Sequence, residues 1–466
     1  MFRIRPVHTP SLMEAILLTV MIVSIMASSI IFLEATPHVP LVISLFLLIV
    51  YGLVKKVPYK QLEEGIINGA KAGIAAVLLF FLIGVLIASW MFGGTIPTLI
   101  YSGFSLVTPH YYFAVVFVVT SIIGLCVGSS LTTVGTVGLA FVGISEALDV
   151  SQAITVGAIV SGAFFGDKMS PLSDTTNMAS SILDVDLFTH IRNMTWTTVP
   201  AFVIALILYG ILSPNITTTD FGSIESFKQG LLNTGLVHWY HGVIPVAVLL
   251  IFSFMKAPAL LALAAGSVSA IAISFINGAK PMGDLLDTLF SGYVSATGVE
   301  EIDALLTRGG MESMLFTIGL VLLALSMGGL LFTLGIIPRL LESIENLLRG
   351  VQSVILASAL MALGINVLIG EQYLSILLTG ESFQSQYRKV GLANKNLARV
   401  SEDAGTVVNP LVPWSVCGVF IASVLGVSTL AYLPFAFFCL LSPVLTVFFG
   451  FTGKTLTYLE EESVEG

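Results

Sequence analysis

Apolar runs separated by short polar connections repeat along the whole chain. They fall at 12–33, 39–54, 66–92, 112–127, 131–146, 151–183, 190–212, 240–254, 258–276, 311–335, 351–369, 371–387, 400–428 and 430–450. A helix needs roughly 20 such residues to cross a bilayer, and several runs reach that length. Shorter neighbours at 112–146 and 351–387 read either as a helix followed by a re-entrant hairpin or as full spans. Polar residues break the pattern most sharply inside 151–183, at Gly166-Asp167-Lys168-Met169-Ser170-Pro171-Leu172-Ser173-Asp174-Thr175-Thr176-Asn177. Pro171 lacks an N–H and clashes with a continuing helix, so the helix should break there. Broken backbone at membrane depth survives only when protein shields it or it lines a wet cavity.

A second interruption lies at Ser401-Glu402-Asp403-Ala404-Gly405-Thr406-Val407-Val408-Asn409-Pro410-Leu411-Val412-Pro413-Trp414. The two halves match elsewhere as well. Gly94-Thr95-Ile96-Pro97 parallels Gly335-Ile336-Ile337-Pro338, and Ser170-Pro171-Leu172 parallels Asn409-Pro410-Leu411. Loop charge inverts between the matched places. The connection near Glu146 and Asp149 is acidic, whereas its counterpart carries Arg388, Lys389, Lys395 and Arg399. Similar halves with opposite loop charge imply inverted topology. The expected fold is an all-α integral membrane protein. About 11–14 transmembrane or re-entrant segments form two inverted-topology repeats with broken helices, residues 1–239 and 240–466. By the positive-inside rule Arg3, Arg5, Lys55, Lys56 and Lys60 place the N-terminus in the cytoplasm, and continuing the count puts Lys454 and the C-terminus there too.

Composition agrees with this membrane class. The chain is 56% hydrophobic and 10% charged, against about 25% charged for a soluble domain. No basic cluster suits a nucleic-acid surface. Cys126, Cys417 and Cys439 lie in apolar runs without a CxxC pair and read as buried free thiols. His238 and His241 flank Trp239 and Tyr240 and read as part of an interfacial aromatic belt. Phosphate-loop, nucleophile-elbow and metalloprotease patterns are absent, so neither an enzyme nor a bound cofactor is expected. Transport would be driven by an ion or solute gradient.

Charges at bilayer depth cost roughly 3 kcal/mol or more and usually mark an ion or proton path. Asp167 and Asp174 are the principal candidate carboxylates, with Asp403 third. Ser170, Thr175, Asn177 and Asn409 would be neutral ligands or orienters. Lys168 could pair with another acid. A rival reading makes Asp174 the cap of the second half-helix. Another makes Ser401 the cap of a cytoplasmic helix start, with Glu402 and Asp403 on its dipole. The hydroxyl-rich segment Ser129, Ser130, Thr132, Thr133 and the isolated Glu371 would be hairpin tips meeting the breaks. The tip hydroxyls could equally be helix-packing residues.

The segment 166–177 resembles the signature of the NhaC-type sodium/proton antiporter family. Leu306-Thr307-Arg308-Gly309-Gly310-Met311-Glu312-Ser313-Met314 and Glu402-Asp403-Ala404-Gly405 resemble it too. The likeness covers most of the chain and implies a prokaryotic inner-membrane secondary transporter. Some members of this family exchange malate for lactate. Na⁺ and H⁺ are therefore the expected partners besides the lipid bilayer, with Na⁺ held at Asp167 and Asp174. Cation-coupled exchange of a small organic acid is the alternative. The sequence leaves open whether the protein is a homodimer.

Overall fold

The computed structural model describes residues 6–106, 111–213, 228–255, 257–276, 281–297, 302–303, 306–345 and 350–459. Arg3, Arg5, Lys256, Lys280, Arg349 and His110 lie outside these residues.

Helices make up the described chain. They are α1 (Leu12–Ile31), α2 (His38–Val54), α3 (Tyr59–Ala72), α4 (Ile74–Phe92), α5 (Thr95–Leu106), α6 (Tyr112–Val127) and α7 (Ser130–Ala147). Next come α8 (Gln152–Met169), α9 (Asp174–Ile182), α10 (Leu187–Leu212), α11 (Trp239–Phe254), α12 (Ala259–Ser274) and α13 (Met282–Ser291). Then follow α14 (Met311–Thr333), α15 (Ile336–Glu345), α16 (Val351–Ile369), α17 (Gln372–Lys389) and α18 (Asn394–Ser401). The chain closes with α19 (Val416–Leu425), α20 (Thr429–Tyr432) and α21 (Phe437–Thr452).

Six of these helices are long and apolar enough to cross a bilayer: α1, α4, α7, α10, α14 and α16. Two bent pairs also qualify, α18 with α19 at 41° and α20 with α21 at 59°. Shorter apolar helices α2, α6, α11 and α12 fill the gaps between them. This is an all-α membrane protein. Helices α8 and α17 carry polar residues that other helices cover, among them Asp167 and Lys168 on α8 and Gln372, Ser375, Thr379 and Gln386 on α17. Shielding by protein, rather than hydropathy, keeps them at depth.

The apolar run 66–92 is not one helix. It divides at Gly73 into α3 and α4. Near the other end of the chain, α18 starts at Asn394, so Ser401 is its last residue and not a cap. The chain then continues through a π-turn at Glu402–Thr406 and a 3-10 turn at Asn409–Leu411. Single π-turns inside helices are uncommon and cluster at functional sites. Arg399 is not a loop cation either. It is 1% exposed, and its guanidinium donates to the Thr455 carbonyl at 3.2 Å. Cys417 and Cys439 are buried and Cys126 is half-buried, all free. His241 turns inward to Leu236 O at 2.7 Å, while Trp239 stays exposed.

Helices α6 and α8 approach closely. A Cβ on Gly166 would sit 2.4 Å from the backbone of Gly124, and one on Gly162 would sit 2.0 Å from Thr120 Oγ1. Small residues permit this contact, which fixes α8 against the hairpin that α6 begins.

Candidate cation site between two hairpin tips and a broken helix

Helices α6 and α7 form an antiparallel hairpin. The Tyr112 hydroxyl at its open end donates to the Phe141 carbonyl at 2.5 Å. At the tip, Gly128 adopts φ +68° and its N–H donates to Gly124 O, ending α6. A left-handed residue there is inexpensive only for glycine. Ser129 then caps α7, its Oγ accepting from Thr132 N at 3.3 Å and from Thr132 Oγ1 at 2.9 Å. Thr133 Oγ1 donates to Ser129 O at 2.9 Å.

Helices α16 and α17 repeat this construction. Ser358 and Tyr387 hydroxyls join the open end at 2.8 Å. Gly370, at φ +77°, ends α16, and Glu371 caps α17 by accepting from Leu374 N at 2.7 Å.

The first break lies between these tips. Helix α8 stops at Met169, Ser170 and Ser173 are extended, and α9 restarts at Asp174. Thr176 Oγ1 donates across the gap to Lys168 O at 3.0 Å. The Asn177 amide donates to Pro171 O at 2.9 Å and to Ser173 O at 2.7 Å. Ser173 supplies the cap of α9, accepting from Thr176 N at 3.4 Å. Asp174 is the first helical residue and stays exposed on the cavity side. Its capping role therefore falls to its neighbour.

A cavity of about 1300 Å³ joins these parts. Asp167, Asp174, Thr175 and Asn177 come from the break. Ser129, Ser130 and Thr132 come from the first tip, and Glu371 with Gln372 and Tyr373 from the second. Walls come from α3, α4, α11, α12 and α14, including Lys71 and Phe80. Asp167 Oδ2 accepts from Ser130 N at 3.2 Å and from Ser130 Oγ at 2.7 Å. Its carboxylate thus lies at the N-terminus of α7, where the helix dipole favours negative charge. Among the described residues no three His, Cys, Asp or Glu side chains stand close enough to hold one metal ion together. Neutral oxygens would complete a cation's shell here.

Asp403, Asn409, Ser170, Thr133 and Lys168 do not line this cavity. Lys168 and Asp403 are both fully buried and form an ion pair, to which Thr197 Oγ1 adds a bond at 3.2 Å. The Lys168 ammonium also lies 5.7 Å from the Phe438 ring centroid. Asp167 and its neighbour thus face different sides of α8. Asn409 braces the second tip. It donates to Asn366 Oδ1 at 2.8 Å and to Gly370 O at 3.2 Å, and its Oδ1 accepts from Cys417 N at 3.0 Å.

Sequence reasoning missed several of these residues. Asn366, an amide deep in the apolar run 351–369, was a readable signal. Glu402 looked like a surface helix start, yet it is 0% exposed and neither carboxylate oxygen has a hydrogen-bond partner. His190 is equally buried with both ring nitrogens unpartnered. Gln372 and Tyr373 carried no signal beyond their place beside Glu371.

A family model described as "Na+/H+ antiporter family" matches residues 162–454. The chain belongs to the Na⁺/H⁺ antiporter family. The family match contains Asp167, Asp174, Glu371 and both breaks, but begins after the first tip. The Na(+)/H(+) antiporter NhaC of Alkalihalophilus pseudofirmus is 42% identical over 94% of this chain and 95% of its own. The malate-2H(+)/Na(+)-lactate antiporter of Bacillus subtilis is 32% identical over 99% of both. The arginine/ornithine antiporter ArcD of Halobacterium salinarum is 37% identical over 87% of this chain and 85% of its own. As a member of the Na⁺/H⁺ antiporter family, the protein is a multi-pass membrane protein of the antiporter class.

Proposed function

We propose that this protein exchanges Na⁺ for H⁺ across the prokaryotic inner membrane by alternating access. One observation carries the reading: Asp167 and Asp174 open onto a single cavity that both hairpin tips share. Na⁺ would take carboxylate oxygen from these two residues and neutral oxygen from Ser129, Ser130, Thr132, Thr175 and Asn177. A bound cation favours the ionised carboxylate, so a carboxyl holds a proton or a sodium ion but not both. A proton and a sodium ion then compete for the same oxygens, and loading one expels the other. On the buried side of α8, Lys168 and Asp403 would balance each other's charge.

Alternation between the two faces rests on two inverted halves, 1–239 and 240–466. Matched local structure supports them. Gly94 (φ +77°) leads into α5 as Gly335 (φ +71°) leads into α15. Each half then has a glycine-tipped hairpin and a proline-broken segment. Both termini would be cytoplasmic, by the loop charges.

The malate/lactate relative keeps organic-acid exchange as a second reading. The greater identity to NhaC, 42% against 32%, favours Na⁺/H⁺ exchange. Proteoliposomes with a sodium gradient and an internal pH dye test the proposal. Asp174→Asn should abolish sodium-driven proton flux, and full flux in that variant refutes its role.

A further inference from the structure

We infer that Arg308 latches the cavity shut on the side away from its mouth, and that this latch releases when the site changes face. The inference rests on the alternating-access reading above and names a residue that controls it. Arg308 belongs to the segment 306–314, which so far has no part in the site.

The cavity has an open end and a sealed one. Lys71, Asp174 and Pro258 line it and are exposed, so its mouth lies among them. Along α4 the other end closes beyond Phe80. The Phe80 and Phe420 rings stack with centroids 5.4 Å apart. A Cβ on Gly135 would lie 3.3 Å from Ile83 Cγ2, 3.7 Å from Phe420 Cζ and 3.8 Å from Ile87 Cδ1. Ile83, Ile87 and Phe420 are buried, and neither they nor Gly135 line the cavity. Helices α4, α7 and α19 therefore meet in an apolar plug. Gly135 lies in a π-turn, Val134–Gly138, inside α7. Such turns cluster where a helix has a functional task.

Arg308 reaches across the far side of this plug. Its own backbone neighbours are pressed onto α4. The Gly310 N–H donates to Gly84 O at 2.9 Å, and a Cβ on Gly309 would lie 2.6 Å from Ala88 N. From there the Arg308 guanidinium donates to Val424 O at 2.9 Å, in the last turn of α19 and one turn beyond Phe420. The end of a helix leaves carbonyls unsatisfied and carries partial negative charge, which suits a guanidinium. Glu146, in the last turn of α7, adds its charge to the same place.

The far ends of these two helices belong to the site. Val416 at the start of α19 lines the cavity, and its N–H donates to Gly370 O of the second tip at 2.8 Å. Helix α7 starts at the first tip. Arg308 thus ties a wall element, α4, to a helix joined to one tip, beside the helix that carries the other. A change of face moves walls against tips, so this bond and the plug beneath it must part.

Labelling from each side of the membrane tests the latch. In a cysteine-free full chain, Ser129→Cys reports access to the cavity. An impermeant maleimide is applied to right-side-out and to inverted membrane vesicles. The reporter should label readily from the mouth side and slowly from the other. Adding Arg308→Ala should raise the slow rate about tenfold, as expected when a hydrogen bond from a charged group is lost, without raising the fast one. Arg308→Lys, which keeps a cationic donor, should restore most of the difference between faces. A slow rate unchanged in Arg308→Ala overturns the inference. So does an equal rise from both faces, because a loosened fold has no preferred side. If Arg308→Ala does not fold, Arg308→Gln carries the test: it keeps a donor and loses the charge, a smaller one-sided rise is expected, and parental rates overturn the latch. The labelling needs no sodium. A latch effect without Na⁺/H⁺ exchange sinks the sodium reading alone, and exchange with unchanged labelling sinks the latch alone.

Discussion

At the scale of single residues, Lys168 and Asp403 pair with each other away from the cavity. Both side chains are fully buried and each neutralises the other. Removing one partner strands a charge, so Lys168→Met should cost about 3–5 kcal/mol of stability. Lys168→Met combined with Asp403→Leu should recover much of that loss, because two desolvated charges leave together. Thermal unfolding in detergent reads both variants, and equal loss in single and double variants would refute the pairing as the cause. Their sequence neighbourhood already held this division. Adjacent helical residues point apart, so Asp167 reaching the cavity sends Lys168 into the core. The partner of Lys168 was not legible, because Asp403 lies 235 residues away and nothing local marks the contact. Asp174 shows a different limit. Its position at a helix start suggested a cap, yet Ser173 one residue earlier has the extended backbone that a cap needs. That choice spares the carboxylate for the cavity.

At the scale of elements, the prolines and glycines were the readable punctuation. Pro171 and Pro410 mark the two breaks, and Gly128 and Gly370 mark the tips. The split at Gly73 was missed because the apolar run starts at Ile66, inside α3, although α3 carries Lys60, Glu63, Glu64, Asn68 and Lys71 and α4 carries no charge. The reverse error arose at Ser401. A polar cluster after Arg399 imitates the start of a surface helix, but α18 arrives from Asn394 and carries that cluster into the interior. Close packing of α6 on α8 gives a sharp prediction. Gly166→Leu places side-chain atoms in the backbone of Gly124, whereas Gly210→Leu meets nothing within 4 Å. Overpacking costs typically 1–3 kcal/mol and more against backbone, so Gly166→Leu should lower the unfolding temperature and the yield of folded protein, while Gly210→Leu should match the parent. Identical behaviour of the two variants would mean that the α6–α8 contact does not hold the broken helix in place.

At the scale of the whole molecule, alternating access predicts a change in exposure. In a cysteine-free background, Ser129→Cys should react with an impermeant maleimide from one side of the membrane, and Na⁺ should slow that reaction. A labelling rate indifferent to Na⁺, from both sides, would contradict a shared cavity at the tip. Competition between cation and proton also has a sign. Raising pH removes the competing proton, so the apparent KM for Na⁺ should fall as pH rises; a KM that climbs with pH would exclude a shared carboxylate site. What the sequence determined by itself was the membrane class, the family, the positions of tips and breaks, and which carboxylates sit beside them. These are local facts: hydropathy acts over one span, and proline or glycine acts over a few backbone dihedrals. Tertiary structure alone decided that Asp167 closes the N-terminus of α7, that Asp403 serves Lys168 instead of the cavity, and that Glu402 is sealed in the core. Those outcomes depend on which face of one helix meets a distant partner, and neither hydropathy nor spacing records a contact across two hundred residues.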